Sequence, residues 1–333
     1  KTSSIEEAVE NVLDVLEGAY SLVVMSPEKL VAARDMTGFR PLVMGELPNG
    51  ETVFASETCA LDSLGAKYVK DLAAGEIVVV DKNGVRSITS HVKPIKHMCV
   101  FEYIYFARGD SHIDGQSVYQ SRLNMGRELY NETKYDADIV MSIPDSGTTA
   151  ALGYARASGI PFAEGLVKNR YSGRTFIKPN QEERELAVRM KLNALPHIVG
   201  GKRIVLIDDS IVRGTQLRDN VNVLYDYGAK EVHMRIACPP LIYGCPFIGF
   251  TSSKSDMELI TRRIIKEIEG DENAKLDKYA TTDSPEYKEL VERIRARFGL
   301  TSLKFNTLET LIEAIGLPKC KVCTHCFDGS SHF

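Results

Sequence analysis

The sequence contains no tryptophan, no long apolar run and no marked excess of either charge. Its 45 acidic and 41 basic residues leave a net charge of -4. The chain therefore lacks the excess of positive charge that is typical of proteins that bind nucleic acid or an anionic membrane. Apolar stretches such as residues 203–207 soon meet a charged residue, whereas a membrane-spanning helix needs about 20 apolar residues. No hydrophobic stretch follows Lys1, so no secretory signal is expected. These absences predict that neither nucleic acid nor a membrane is a partner.

Cysteine is sparse and odd in number, with seven residues in the chain. Together with the missing export signal, this argues against a disulfide framework and favours a reducing cytoplasm. Three thiols stand close together in Cys320-Lys-Val-Cys323-Thr-His-Cys326. This spacing predicts an iron–sulfur cluster or one Zn²⁺, with a fourth ligand from elsewhere. It is closer to a ferredoxin-type run than to a zinc ribbon, because the chain has no second Cys-x-x-Cys.

The 333 residues are enough for two domains, and the pattern of the sequence changes near residue 93. Residues 1–93 combine an amphipathic helix, capped by Ser3 or Ser4, with short strands and Asn-Gly turns, which predicts an antiparallel α+β segment. In residues 94–333, apolar strands alternate with helices, and residues 264–303 are charged and helical in pattern. This order predicts an α/β fold with a parallel sheet and with ligands at the carboxyl ends of its strands.

The strongest local signal is the run Asp208-Asp-Ser-Ile-Val-Arg-Gly-Thr215 after an apolar strand. The strand ends in two carboxylates, and the following turn opens a helix whose N-terminal amides can bind a phosphate. Asp208 and Asp209 can accept hydrogen bonds from a ribose diol or face Mg²⁺. The proposed phosphate-binding residues are Ser210, Ile211, Val212, Arg213, Gly214 and Thr215. A simple helix cap would explain Asp-Ser alone, but the full run is more restrictive, and it is not a Walker A loop.

This run resembles the phosphoribosyl-pyrophosphate signature of type I phosphoribosyltransferases. Residues 101–111, Phe-Glu-Tyr-Ile-Tyr-Phe-Ala-Arg-Gly-Asp-Ser, and residues 165–177, Gly-Leu-Val-Lys-Asn-Arg-Tyr-Ser-Gly-Arg-Thr-Phe-Ile, resemble the glutamine phosphoribosylpyrophosphate amidotransferases. Residues 33–42 and 54–57 share this resemblance. It implies a type I phosphoribosyltransferase sheet with flanking helices at 94–333. That domain would follow a partial glutaminase segment, similar to N-terminal-nucleophile hydrolases, at 1–93.

The resemblance also implies the chemistry, which is displacement of pyrophosphate from phosphoribosyl pyrophosphate by ammonia in the first step of purine synthesis. Mg²⁺ and cationic groups would stabilise the leaving pyrophosphate. The pyrophosphate-side loop would be formed by Asp145, Ser146 and Gly147. A flap closing over the substrate would carry the catalytic cations Lys168, Arg170 and Arg174. An ordinary exposed basic loop would explain these cations alone. In sequence, however, they follow the pyrophosphate-side loop and precede the phosphate loop, which favours the functional interpretation.

In the iron–sulfur branch of this family, the cluster ligands match Cys99, Cys245, Cys323 and Cys326. The resemblance therefore implies a [4Fe–4S] cluster, with Zn²⁺ as the alternative. Cys320 would then be spare, whereas Cys59 and Cys238 would be buried thiols. Purine nucleotides as feedback inhibitors and a homo-oligomer, dimeric or tetrameric, are implied as well.

The sequence departs from the family pattern at three places. Family members begin with a cysteine that takes ammonia from glutamine, whereas this chain begins with Lys1, so we expect no glutaminase activity from the chain alone. Gly109 stands where proline is common, and Gly147 where some members have a hydroxyl residue near the metal. Two alternatives stay open, namely a non-catalytic regulator that binds phosphoribosyl pyrophosphate and an iron–sulfur electron carrier.

Overall fold

The computed structural model describes residues 4–89, 94–169, 192–248 and 255–330. Two residues of the predicted flap, Arg170 and Arg174, lie outside these ranges. In the described ranges, no helix has both the length and the apolar character needed to cross a membrane.

The N-terminal part consists of two antiparallel sheets with the strand orders β1-β2-β6-β7 and β4-β3-β5. The strands are β1 Ser21–Met25, β2 Lys29–Arg34, β3 Val43–Glu46, β4 Thr52–Ala55, β5 Lys67–Asp71, β6 Glu76–Asp81 and β7 Gly84–Thr89. The helices are α1 Ile5–Leu13 and α2 Thr58–Leu64. Ser4 caps α1 as predicted, because its hydroxyl accepts the backbone N–H of Glu7 at 3.2 Å.

Alternation of side chains along β2 and β6 builds three layers. Val31 and Val79 face one way and pack with Val9 and Leu13 of α1. Their neighbours in sequence, Ala32 and Val78, face the other way. They pack with Met44 of the second sheet and with Leu42 and Leu72, which flank its strands. The middle strands of the first sheet, β2 and β6, are therefore buried on both faces, which holds the N-terminal part together.

The C-terminal part is built on a parallel sheet of four strands in the order β11-β14-β15-β16. These strands are β11 Ile139–Ser142, β14 Arg203–Asp208, β15 Glu231–Ile236 and β16 Ser302–Phe305. Short paired strands surround it: β8 Met98–Cys99 with β17 Val322–Cys323, β9 His112–Ile113 with β10 Gln116–Ser117, and β12 Leu166–Lys168 with β13 Leu192–Ala194.

Helices cover the parallel sheet and carry most of the remaining core. They are α3 Val118–Glu132, α4 Thr148–Ser158, α5 Pro196–Val199, α6 Thr215–Asp226, α7 Ile260–Glu269, α8 Leu276–Ala280, α9 Pro285–Arg297, α10 Leu308–Ile315 and α11 His325–Asp328. A π-helical turn spans Glu102–Phe106, and 3₁₀ turns span Asp256–Glu258 and Lys319–Lys321. Helices α3 and α4 cross closely, because a Cβ at Gly126 or Gly153 would collide with the backbone of the other helix.

The structure corrects one prediction about elements. Residues 264–303, expected to be helical throughout, contain most of α7, then α8 and α9, and end inside β16. Leu303 is buried in that strand, which pairs with β15 through the register Met234↔Leu303. The helical pattern of the preceding residues concealed this strand because its pairing partner lies far away in the sequence.

Candidate active site

The predicted phosphate loop lies between the last residue of β14, Asp208, and the first residue of α6, Thr215. No side chain caps the amino end of α6. Within the described ranges, no protein acceptor binds the backbone N–H groups of residues 210–214. Unpaired amides at a helix N-terminus form an anion-binding site. The loop therefore has the geometry needed for a phosphate.

The segment that leads into α7 contacts the phosphate loop and fixes its position. The backbone N–H of Ile260 donates to the Val212 carbonyl at 2.8 Å, and Arg213 pairs with Glu258 at 2.7 Å. Gly214 has φ +69° and packs against Phe298, so that a side chain at this position would collide with the ring. Ile211 is buried and contributes packing. The side chains of Ile211 and Arg213 thus serve the loop itself, whereas its backbone faces the ligand site.

Of the two carboxylates at the end of β14, Asp208 is half-buried and Asp209 is buried. Burial raises the pKa of Asp208 well above its ordinary value, and the neighbouring Asp209 raises it further. Burial also raises the pKa of Asp209, although hydrogen bonds from Ser146 and Ser210 and the charge of Arg122 oppose this. Neither carboxylate has a salt bridge within the described residues. Two adjacent carboxylates of this kind fit a hard divalent cation such as Mg²⁺.

The structure brings the predicted pyrophosphate-side loop, residues 144–147, next to the phosphate loop. The backbone N–H of Ile143 donates to the Ile207 carbonyl at 2.9 Å, and the peptide bond between Pro144 and Asp145 is cis. A Cβ at Gly147 would lie 2.7 Å from the Ile207 carbonyl oxygen and 3.1 Å from the Asp208 Cα. Glycine at this position therefore permits the close approach of the two loops.

Lys168, at the end of β12, reaches the same place. Its Nζ lies 2.7 Å from Oδ2 of Asp145, in an open cleft of about 380 Å³ that Thr148 and Glu164 also line. Both partners of this ion pair are largely exposed, so the pair itself contributes little to stability. The ammonium group is instead available to an anion entering the cleft.

The four predicted cluster ligands converge from distant parts of the chain. Cys99 and Cys323 face each other across the β8–β17 pair, Cys326 lies in α11, and Cys245 lies in a loop. Burial raises the pKa of Cys326 well above its ordinary value, and the charges of the other three thiols raise it further. Four cysteines are the ligand set that a [4Fe–4S] cluster uses.

The four thiols do not form a preassembled metal site. Across residues 4–89, 94–169, 192–248 and 255–330, no group of three or more His, Cys, Asp or Glu side chains is arranged to hold one metal ion. The [4Fe–4S] cluster and the alternative Zn²⁺ therefore both stay predictions. Cys320 is exposed, and Cys59 and Cys238 are buried.

Sequence reasoning missed the contacts that surround the π-helical turn. Oε2 of Glu57 accepts the backbone N–H of Arg108 at 2.8 Å and the hydroxyl of Ser111 at 2.7 Å. Glu102 pairs with Arg40, and burial raises the pKa of Glu102 to about 7, an effect that the Arg40 charge opposes. These residues lie within the stretches that carry the family resemblance, which was the available signal, but their partners lie far away in the sequence.

Gly109, which stands where proline is common in the family, is not in close contact with its neighbours as Gly147 is. A Cβ at this position would meet nothing closer than 3.9 Å. The space around this position would therefore also accept a residue with a Cβ.

Comparison with known proteins agrees with this geometry. A family model described as a glutamine amidotransferase domain matches residues 2–63. The amidophosphoribosyltransferase of Methanothermobacter thermautotrophicus is 42% identical over 322 residues, covering 97% of this chain and 62% of the relative. The chloroplastic enzyme of Glycine max is 44% identical over 314 residues, covering 94% of this chain and 50% of the relative. The chain thus spans between half and two thirds of these relatives' lengths.

The solved glutamine phosphoribosylpyrophosphate amidotransferase of B. subtilis, complexed with ADP and GMP, superposes with a TM-score of 0.84. The match is 39% identical and covers 99% of this chain and 68% of that chain. The predicted fold class, an α/β fold with a phosphoribosyltransferase-type parallel sheet preceded by an N-terminal α+β segment, is confirmed. On this identity and coverage, the chain belongs to the amidophosphoribosyltransferase family.

Proposed function

We propose that the chain catalyses the synthase step of an amidophosphoribosyltransferase, forming 5-phosphoribosylamine and pyrophosphate from phosphoribosyl pyrophosphate and ammonia. This is the first step of de novo purine synthesis. The observation that carries the proposal is the juxtaposition of the unpaired amides of residues 210–214, the carboxylates of Asp208 and Asp209, and the loop at 144–147. A sugar that carries a phosphate at one end and a pyrophosphate at the other needs these three recognition elements together.

In the proposed complex, the amides of residues 210–214 bind the 5-phosphate, and Thr215 assists with its hydroxyl. Asp208 and Asp209 bind the ribose diol or the cation. Bound Mg²⁺ would neutralise charge on the leaving pyrophosphate. The loop of Asp145, Ser146 and Gly147 receives the pyrophosphate, with Lys168 above it. We propose Arg170 and Arg174, beyond the described ranges, as further cations of the flap.

The bond from the anomeric carbon to the pyrophosphate oxygen breaks as the bond from that carbon to nitrogen forms. Ammonia attacks as a neutral nucleophile, so the protonated product loses its extra proton to solvent without a dedicated general base. Positioning and electrostatic stabilisation of the leaving group therefore supply the acceleration. This agrees with a site that is rich in amides, hydroxyls and cations.

We further propose that Cys99, Cys245, Cys323 and Cys326 hold a [4Fe–4S] cluster that braces the fold. All seven cysteines are free, which supports a reducing cytoplasm as the compartment. The complex of the solved relative with ADP and GMP supports purine nucleotides as feedback inhibitors. A homo-oligomer, dimeric or tetrameric, and a division of the chain into domains at residues 1–93 and 94–333 complete the proposal.

Pyrophosphate release from phosphoribosyl pyrophosphate, Mg²⁺ and ammonium tests the main proposal. Asp209→Asn should weaken substrate binding by roughly tenfold or more, because a charge-assisted acceptor in a buried site is lost. Asp226→Asn, an exposed change at the end of α6, is the matched control and should leave release unchanged. No release by the wild-type chain would refute the synthase, and binding without release would favour the non-catalytic regulator.

A further inference from the structure

Arg122 of α3 is a buried cation to which the proposed function assigns no role. Its Nε donates to the Tyr103 carbonyl and its Nη2 to the Ala107 carbonyl, both at 2.8 Å. These two carbonyls lie within and just after the π-helical turn Glu102–Phe106. A guanidinium fork with two backbone acceptors fixes this turn against α3.

Helix α3 is also connected to the proposed substrate site, through Met125, one turn after Arg122. The side-chain amide of Asn306, which is fully buried, donates to the Met125 carbonyl at 3.1 Å and to the Ala237 carbonyl at 3.0 Å. The backbone N–H of Ala237 in turn donates to the Asp208 carbonyl at 3.0 Å. Helix α3 is therefore held at the carboxyl ends of the strands, where the substrate is proposed to bind.

The charge of Arg122 has no partner at contact distance. Burial lowers the pKa of its guanidinium, and the charges of Asp209, Glu57 and Glu102 counteract this. None of these carboxylates forms a salt bridge with Arg122 within the described ranges. A guanidinium stays charged even when buried, and in a poorly hydrated interior its field extends beyond direct contacts. The positive field of Arg122 therefore acts on the site of Asp209.

We propose that Arg122 is a positioning residue of the phosphoribosyl site, which fixes α3 to the π-helical turn and places a permanent positive charge near Asp209. The inference rests on the proposed function. A phosphorylated sugar carrying a pyrophosphate is strongly anionic, so the charge favours its binding. Ammonia is neutral in its reactive form, so its binding does not depend on the same charge.

The matched pair Arg122→Gln and Arg122→Lys separates charge from hydrogen bonding. Each new side chain can donate to a backbone carbonyl, but only lysine keeps the charge. We expect the KM for phosphoribosyl pyrophosphate to rise on the order of tenfold in Arg122→Gln and less than about threefold in Arg122→Lys. The KM for ammonia should not change. Arg127→Gln, an exposed change on the same helix, is the control for surface charge and should resemble the wild type.

Equal increases in KM for both variants would indicate a purely structural role of Arg122 and would overturn the inference. An unchanged KM for phosphoribosyl pyrophosphate in folded Arg122→Gln would overturn it as well. If Arg122→Gln does not fold, Arg122→Lys decides alone, and a tenfold loss in that variant refutes a role of charge. Calorimetric binding of phosphoribosyl pyrophosphate separates the two proposals. If the wild type binds phosphoribosyl pyrophosphate without turnover, the proposed synthase activity is wrong. The dissociation constants of the same variants then still test the role of Arg122. If the wild type does not bind, both proposals are wrong.

Discussion

At the scale of single residues, the buried histidine His233 has a hydrogen-bond partner at each of its ring nitrogens. His233 of β15 is buried, with Nε2 2.9 Å from Oε2 of Glu231 and Nδ1 2.8 Å from Oγ of Ser302. A carboxylate can only accept, so Nε2 carries the proton and Nδ1 accepts from the hydroxyl. The Tyr135 ring lies over the imidazole at a centroid distance of 3.8 Å. The neutral imidazole therefore has both of its nitrogen atoms satisfied.

This arrangement predicts a loss of stability in mild acid. Burial lowers the pKa of His233 below its ordinary 6.5, and the effect of Glu231 only partly opposes this. The unfolded chain therefore takes up a proton near pH 6.5 that the folded chain refuses until the pH is lower. Stability should be complete above pH 6.5 and should fall below it by up to about 1.4 kcal/mol per unit of pKa difference.

Thermal unfolding of the wild type and His233→Gln between pH 7.5 and 5 measures this contribution. The variant should be less stable at neutral pH but should show a shallower decline on acidification. His197→Gln, a change at an exposed histidine, should keep the wild-type slope. Parallel slopes for the wild type and His233→Gln would contradict the assignment.

At the scale of elements, the predictable part of the site was the local part. The strand, carboxylates and turn at 203–215 were read from the sequence because neighbouring residues specify them. The strand β16 and the contacts of Glu57 and Arg122 were not, because each depends on partners that only the folded chain brings near. Convergence of Cys245 with the other three thiols followed only from the family resemblance.

The packing of two loops gives a prediction at this scale. Gly147→Ala should push the loop at 144–147 away from β14, because the new Cβ would lie 2.7 Å from the Ile207 carbonyl oxygen. We expect pyrophosphate release to fall at least tenfold and stability to fall by about 1–3 kcal/mol. Steady-state kinetics and denaturant unfolding measure the two effects.

Gly109→Ala is the matched control for this prediction, since its Cβ would meet nothing closer than 3.9 Å. It should behave as the wild type. If Gly147→Ala keeps full activity, the close approach of the two loops has no role in the reaction.

At the scale of the whole molecule, the four proposed cluster ligands come from three separate regions of the C-terminal part. We expect Cys326→Ser to lose iron and acid-labile sulfide, which should be present in equal amounts in the wild type, and to unfold at a markedly lower temperature. Cys320→Ser changes the exposed thiol and should retain both the cluster and the stability. Zinc in place of iron in protein purified without air would contradict the cluster.

The pairing of β8 with β17 has a consequence for the order of folding. Met98 and Val322 are neighbours across this parallel pair, although almost the whole phosphoribosyltransferase part separates them in sequence. Bringing these two strands together closes a long loop and costs conformational entropy. A pair of strands of two residues each gains too little free energy to offset that cost early, so it cannot initiate folding. We therefore expect the parallel sheet to assemble before β8 pairs with β17, and a protein that lacks its proposed cluster to open first at this strand pair.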